Sequence, residues 1–128
     1  MDNIEKILWA ASGITLWQIM TGFYLSQVYD AINSPVLVIH IFTGILLLIM
    51  AAVSYFMVKN ISRLKHLATV NTILIIITIL TGTGFIIFKS SNFYGEFMPY
   101  IQMLLSIGII SNYAVMLGIK RTLDLNQS

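Results

Sequence analysis

Residues 36–58 read VLVIHIFTGILLLIMAAVSYFMV, a run with no charged residue in which His40, Thr43, Gly44 and Ser54 interrupt an aliphatic and aromatic background. A membrane-spanning helix needs about 20 consecutive, predominantly apolar residues, and this stretch supplies them. Its natural solvent is lipid. Outward from it, the charged residues leave three more windows of that length, at 7–28, 67–88 and 100–119. Asp2, Glu5 and Lys6 precede the first and Asp30 follows it; Lys59, Arg63 and Lys65 separate the second from the third; Lys89 and Glu96 precede the fourth, and Lys120, Arg121 and Asp124 follow it. No fully charged side chain falls inside a window.

The composition of the whole chain agrees with this partition. Of 128 residues, 58% are hydrophobic and 9% charged, and the mean hydropathy is +0.89. A soluble domain of this size buries only about two-thirds of what its unfolded chain exposes, so it cannot hide that much apolar surface. An ordinary globular chain is about 25% charged, which sets this one apart from most soluble enzymes and nucleic-acid binders. A net charge of +2 is too small to call for a polyanionic partner, and with no cysteine the chain has no disulfide, thiolate metal site or Cys nucleophile.

The expected fold is all-α: one integral membrane domain, an up-down bundle of four transmembrane helices whose short connections make consecutive helices antiparallel neighbours. Short loops rich in Lys and Arg stay in the cytoplasm. The 59–66 loop and the tail with Lys120 and Arg121 are such segments, so both termini are placed on the cytoplasmic side of the cell membrane and loops 29–35 and 89–99 outside. The first window is too long for a cleavable signal and lacks a small-residue cleavage site, so it is read as a retained anchor. Pro35 and Pro99 fall just before spans, where a missing amide proton costs a helix nothing. Asn33 or Ser34 is placed to cap the second helix, and the aromatic stretch 92–97 is expected to lie on the outer surface.

Helices in lipid associate through small residues and interhelical hydrogen bonds. Every span offers them: Ser12, Thr15, Gln18, Gly22 and Ser26 in the first; His40, Gly44, Ala51 and Ser54 in the second; Asn71, Thr78, Thr81, Gly82 and Gly84 in the third; Gln102, Ser106, Gly108, Asn112 and Tyr113 in the fourth. Packing accounts for nearly all of them. Gly82-Thr83-Gly84 permits either close helix approach or room for a flat cofactor. It is no phosphate loop, since the strand and helix N-terminus of that motif are missing.

Two histidines remain. An ionisable residue within a span is by default a functional-site hypothesis, and His40 sits about a turn inside the second span with Gly44 one turn below. Two roles fit it: an axial ligand to haem iron, or a neutral imidazole bonded to a neighbouring helix or to interfacial water. A quinone carbonyl is a third candidate neighbour. His66 follows Arg63 and Lys65, where a solvated role beside lipid headgroups is expected. The two lie at opposite ends of a span, roughly 30 Å apart, and cannot ligate one iron. Met103, at matching depth in the fourth span, is a candidate sixth ligand, as are an open position and the His40 of a second copy. The candidate cofactor residues are therefore His40, Gly44, Gly84 and Met103, with His40 as the metal ligand.

His40 with Gly44, the basic stretch Ile61-Ser62-Arg63-Leu64-Lys65-His66-Leu67, and the glycines closing 78–85 together resemble one four-helix half of the haem A synthase family, over residues 36–88. In that family a histidine near the outer end of the second and of the fourth helix can ligate haem, and the resemblance implies that role for His40. The second histidine would fall near Gln102 and Met103, where there is none. The loop acid of the family's functional half would fall at Leu37, and the cysteine pair of some members is missing. The resemblance thus implies a bundle of cytochrome-like or oxidase-assembly-like appearance without the apparatus to hydroxylate a haem methyl group.

No Asp, Glu, Lys, Arg or Cys within a span is available as a general base, acid or nucleophile, and a buried carboxylate or broken helix pair typical of ion-coupled transporters is absent from the pattern. Two functions remain. One is a small non-catalytic subunit of a larger membrane complex, respiratory or otherwise redox, whose partners are the lipid bilayer and other membrane subunits or copies of itself. The other is a haem-binding membrane protein using His40.

Overall fold

The computed structural model of the chain describes residues 2–27, 33–87 and 92–127, the side chains at 85–87, 92–96, 98 and 127 excepted. Four helices account for nearly all of it: α1 (Asn3–Gln27), α2 (Pro35–Val58), α3 (Ser62–Ile87) and α4 (Asn92–Gln127). By length and composition, three stretches can cross a membrane: Pro35–Val58, Ser62–Gly84 and Pro99–Asn126. α1 is as long but is not one of them, because Trp9, Ser12, Thr15, Trp17, Gln18, Thr21 and Tyr24 interrupt its apolar residues.

Local chemistry explains where the helices start. Asp2 accepts the Glu5 amide proton at 2.9 Å, which with Glu at the third helical position makes a capping-box pattern at α1. Ser34, in extended backbone with Pro35 directly after it, caps α2 and accepts from the Val36 amide at 3.3 Å. Two boundaries differ from the sequence reading. The connection between α2 and α3 is a turn at 59–61 rather than a loop to 66, so Arg63, Lys65 and the exposed His66 ride on the first turns of α3. α4 starts at Asn92 and carries Pro99 inside it; the 92–97 stretch is its first two turns. Proline gives up one backbone hydrogen bond there, and its position marks the beginning of the apolar part of the helix rather than of the helix itself. Asp30 and Lys89 lie outside the described residues.

The helices pack in a ring, α1 against α2 and α4, and α3 against α2 and α4. Lys120 joins the end of α4 to the start of α1 through Asp2, at 2.6 Å, and also bonds Asp124 at 2.5 Å. Around this corner the interior is full. Leu8, Val58, Leu64 and Met116 are completely buried, with Ala11, Ala51, Ala68 and Ser54 letting the backbones approach. In lipid such small residues are what allow close contact. Large apolar side chains such as Phe42, Phe56, Leu80 and Leu104 point outward, each about two-thirds exposed. That distribution is what a hydrocarbon solvent permits and water does not.

Candidate functional site

Towards the other end, where α1 finishes and α2 begins, the ring encloses a cavity of about 630 Å³ walled by all four helices. Its floor is buried Leu47, Ile75 and Ile109; its rim includes exposed Tyr100 and Gln27. Ile19, Phe23, Ile41, Ile45 and Ile79 give it apolar walls. Size and composition fall in the range of small-molecule sites, which in helical proteins lie between helices of a bundle.

A band of polar groups crosses the cavity at the level of His40. Gln18, on α1, donates from Nε2 to the His40 carbonyl at 3.0 Å and to the Thr43 hydroxyl at 2.6 Å. Gln102, on α4, donates from Nε2 to the Thr78 carbonyl at 3.1 Å and to the Thr81 hydroxyl at 3.0 Å. The two bridges share one local pattern on α2 and α3: a carbonyl, a threonine three residues later, then a glycine. Each threonine returns its own proton to its helix, Thr43 to Ile39 and Thr81 to Thr78, both at 2.9 Å, leaving a lone pair for the amide. The glycine makes the space. A Cβ at Gly44 would sit 3.4 Å from the Gln18 amide nitrogen, and one at Gly82 only 3.0 Å from that of Gln102.

His40 is held by α1. Its Nδ1 lies 2.6 Å from the Thr21 hydroxyl, and its ring edge passes Gly22, where a Cβ would meet Cε1 at 3.4 Å. Thr21 also lies 3.0 Å from the Trp17 carbonyl and 3.3 Å from that of Gln18. Carbonyls only accept, so we assign the single hydroxyl proton to the nearer of them, that of Trp17, which leaves the hydroxyl oxygen to accept Nδ1–H. By this assignment, from the donor capacity of each partner, His40 is the Nδ1–H tautomer and its Nε2 keeps a lone pair. Both ring environments come from Thr21-Gly22, a Thr-Gly pair like Thr43-Gly44 and Thr81-Gly82; a fourth, Thr83-Gly84, follows directly on α3.

Of the residues singled out in the sequence, His40, Gly44 and Met103 line this cavity together. Gly84 does not; Gly82 and Thr83, half a turn earlier, do. His66 sits on α3 away from it. Gln18, Gly22, Thr78 and Gln102 are residues that sequence reasoning left as packing, and Thr21 was not singled out at all; the recurring Thr-Gly pair was the available signal for Thr21 and Gly22. Among the described residues no group of three or more His, Cys, Asp or Glu side chains is placed to hold a metal ion.

Compared with protein families, with curated proteins and with solved structures, the chain matches none.

Proposed function

We propose that the chain is a small integral membrane protein, without catalytic apparatus of its own, that holds an amphiphilic small molecule between its helices. It acts as an accessory component beside other membrane subunits or copies of itself. The observation that carries this reading is the cavity of about 630 Å³ with apolar walls and one polar band. In this reading the four helices form an up-down bundle, α1 crosses the membrane with the others, and both termini face the cytoplasm of the cell membrane. Lys6, Lys59, Arg63, Lys65, Lys120 and Arg121, six of the seven basic residues, support that orientation, since all of them flank the helix ends remote from His40 and positive loops stay inside. The outward apolar side chains support a neighbour of lipid or of another membrane helix.

The test is purification from the native membrane in mild detergent, followed by solvent extraction and mass spectrometry. One amphiphile recovered at near-stoichiometric yield, and lost when Gly22→Leu fills the cavity, is the expected result. Recovery of bulk lipid in the same proportions from both proteins would overturn it.

A second reading has its own support. The Nδ1 edge of His40 is held by a hydroxyl, the arrangement that orients ligating histidines, and His40 and Met103 line the same cavity. His and Met together are a known axial pair for haem. This is the role that the resemblance to haem A synthases implied for His40. A reduced-minus-oxidised visible spectrum decides it: a haem band abolished in His40→Ala supports haem, and its absence from the purified native protein removes it.

A further inference from the structure

The polar band of the cavity has a sign. Gln18 and Gln102 each direct both amide protons to a neighbouring helix. One receiver in each case is a backbone carbonyl, which only accepts, so neither amide can be turned round without setting oxygen against oxygen. Each therefore leaves its Oε1 on the remaining side, and neither oxygen bonds a described residue. His40, with its proton committed to Thr21, adds the lone pair of Nε2. The other hydroxyls at this depth are occupied: Thr15, Thr78 and Thr83 return their protons to Ala11, Leu74 and Ile79 of their own helices. Buried Ser106, one turn below Gln102, and Tyr100 at the exposed rim are the exceptions and can donate or accept. Two amides and an imidazole thus meet the cavity as acceptors.

We infer that the cavity selects a ligand that donates a hydrogen bond, an amphiphile with a hydroxyl headgroup such as a phenol, a hydroquinone or a long-chain alcohol, and discriminates against the matching ether, ketone or quinone. The inference rests on the reading of this cavity as a ligand site. A hydroxyl supplies the proton that the His40 Nε2 and the two amide oxygens lack. A carbonyl headgroup set against the His40 Nε2 or either amide oxygen would bring acceptor to acceptor and leave both without a proton, and polar groups buried without partners are penalised heavily. The apolar walls take the rest of the molecule. A quinone carbonyl beside His40, a candidate on sequence alone, has the wrong sign for this tautomer.

Two matched pairs test it on the full chain in lipid nanodiscs at neutral pH, with empty nanodiscs correcting for partition into lipid: 4-nonylphenol against 4-nonylanisole, and 1-dodecanol against dodecyl methyl ether. Each pair differs only in replacing O–H by O–CH₃. In at least one pair the hydroxyl compound should bind about tenfold more tightly, the value of one hydrogen bond of about 1.4 kcal/mol. The ¹⁵N resonance of His40 Nε2 should shift on binding while that of Nδ1 stays protonated. Preference in the phenol pair alone assigns an aromatic headgroup and in the alcohol pair alone a lipid alcohol; either supports the inference. In His40→Phe the preference should shrink while affinity for the ether is retained, and the wild-type comparison stands even if that variant fails to fold. Equal binding within both pairs, or tighter binding of the ethers, would overturn the inference and leave the ligand site standing. No binding of any of the four above the empty-disc control would overturn the ligand site as well.

Discussion

The two ends of this protein solve opposite problems with the same four helices. Around Asp2 and Lys120 the interior is closed: Leu8, Val58, Leu64 and Met116 have no exposed surface, and alanines and serines set the distance between backbones. Around His40 the ring stays open, and long polar side chains rather than small residues connect neighbours. Glycine serves both ends differently. A methyl group added at Gly118 or Gly13 would meet nothing within 4 Å, whereas Gly22, Gly44 and Gly82 face His40, Gln18 and Gln102. Close packing at one end supplies the stability that an unfilled space at the other does not, which is how a small bundle can keep a cavity.

The largest expected effect probes the closed end. Met116→Ala should destabilise by about 2–5 kcal/mol, the range for deleting a fully buried side chain, whereas Ile41→Ala on the cavity wall should cost under about half of that, since its side chain already adjoins free space. Unfolding by steric trapping in bicelles measures both. Equal losses would dissolve the contrast between the ends.

Asn71 sharpens the comparison from the other direction. It is 1% exposed, and neither its amide nitrogen nor its oxygen bonds a described residue; the Tyr113 hydroxyl is in the same position. Replacing an unsatisfied buried amide with an apolar group of similar shape removes a penalty of about 1–3 kcal/mol. Asn71→Leu should therefore raise the unfolding free energy. A loss instead would mean that the amide is fully satisfied in the membrane.

A smaller pair of effects tests the glycines. Gly82→Ala must displace the Gln102 amide from Thr78 and Thr81, losing about 1 kcal/mol for each of two interhelical hydrogen bonds, which outweighs a gain of up to about 1 kcal/mol of helix propensity. Gly118→Ala meets nothing and should gain up to about 1 kcal/mol of helix propensity. Thermal denaturation of the two variants side by side would show midpoints moving in opposite directions.

The smallest effect depends on pH. The hydrogen bond from Lys120, followed by that from the Glu5 amide, holds the Asp2 carboxyl below its ordinary value of 3.8. A carboxyl whose folded pKa is depressed stabilises above its unfolded pKa, and the contribution fades as pH falls through the folded one. Because Asp2 is 45% exposed, the amount is under about 1 kcal/mol. Wild type should lose this increment as pH falls below about 4, and Asp2→Asn should show no such step.

Much of this architecture was legible in the sequence because charge is so costly in lipid that it marks helix ends. Residues 36–58 fall within α2 almost to the residue, and the capping role of Ser34 follows from its place before Pro35. Pro99 misled for a related reason: the rule that proline opens helices describes a favourable position, and α4 begins two turns earlier all the same. His40, Gly44 and Met103 were singled out by their rarity or depth. Gln18 and Gln102 were visible as residues of helix faces, but their role depends on the carbonyls and hydroxyls opposite them, and which helix faces which is decided by packing. Gly84 was chosen over Gly82 because a glycine pair has no inherent phase; the rotation of α3 picks one.

The ring closure through Asp2 and Lys120 also orders events during synthesis. α1 borders both α2 and α4, yet Lys120, which clasps its start from α4, comes late in the chain. Until then an emerging chain has only three walls, its Gln18 amide can already find Thr43, and Thr78 and Thr81 wait for Gln102. Until α4 is made, the cavity lacks one of its four walls and its polar band is half assembled.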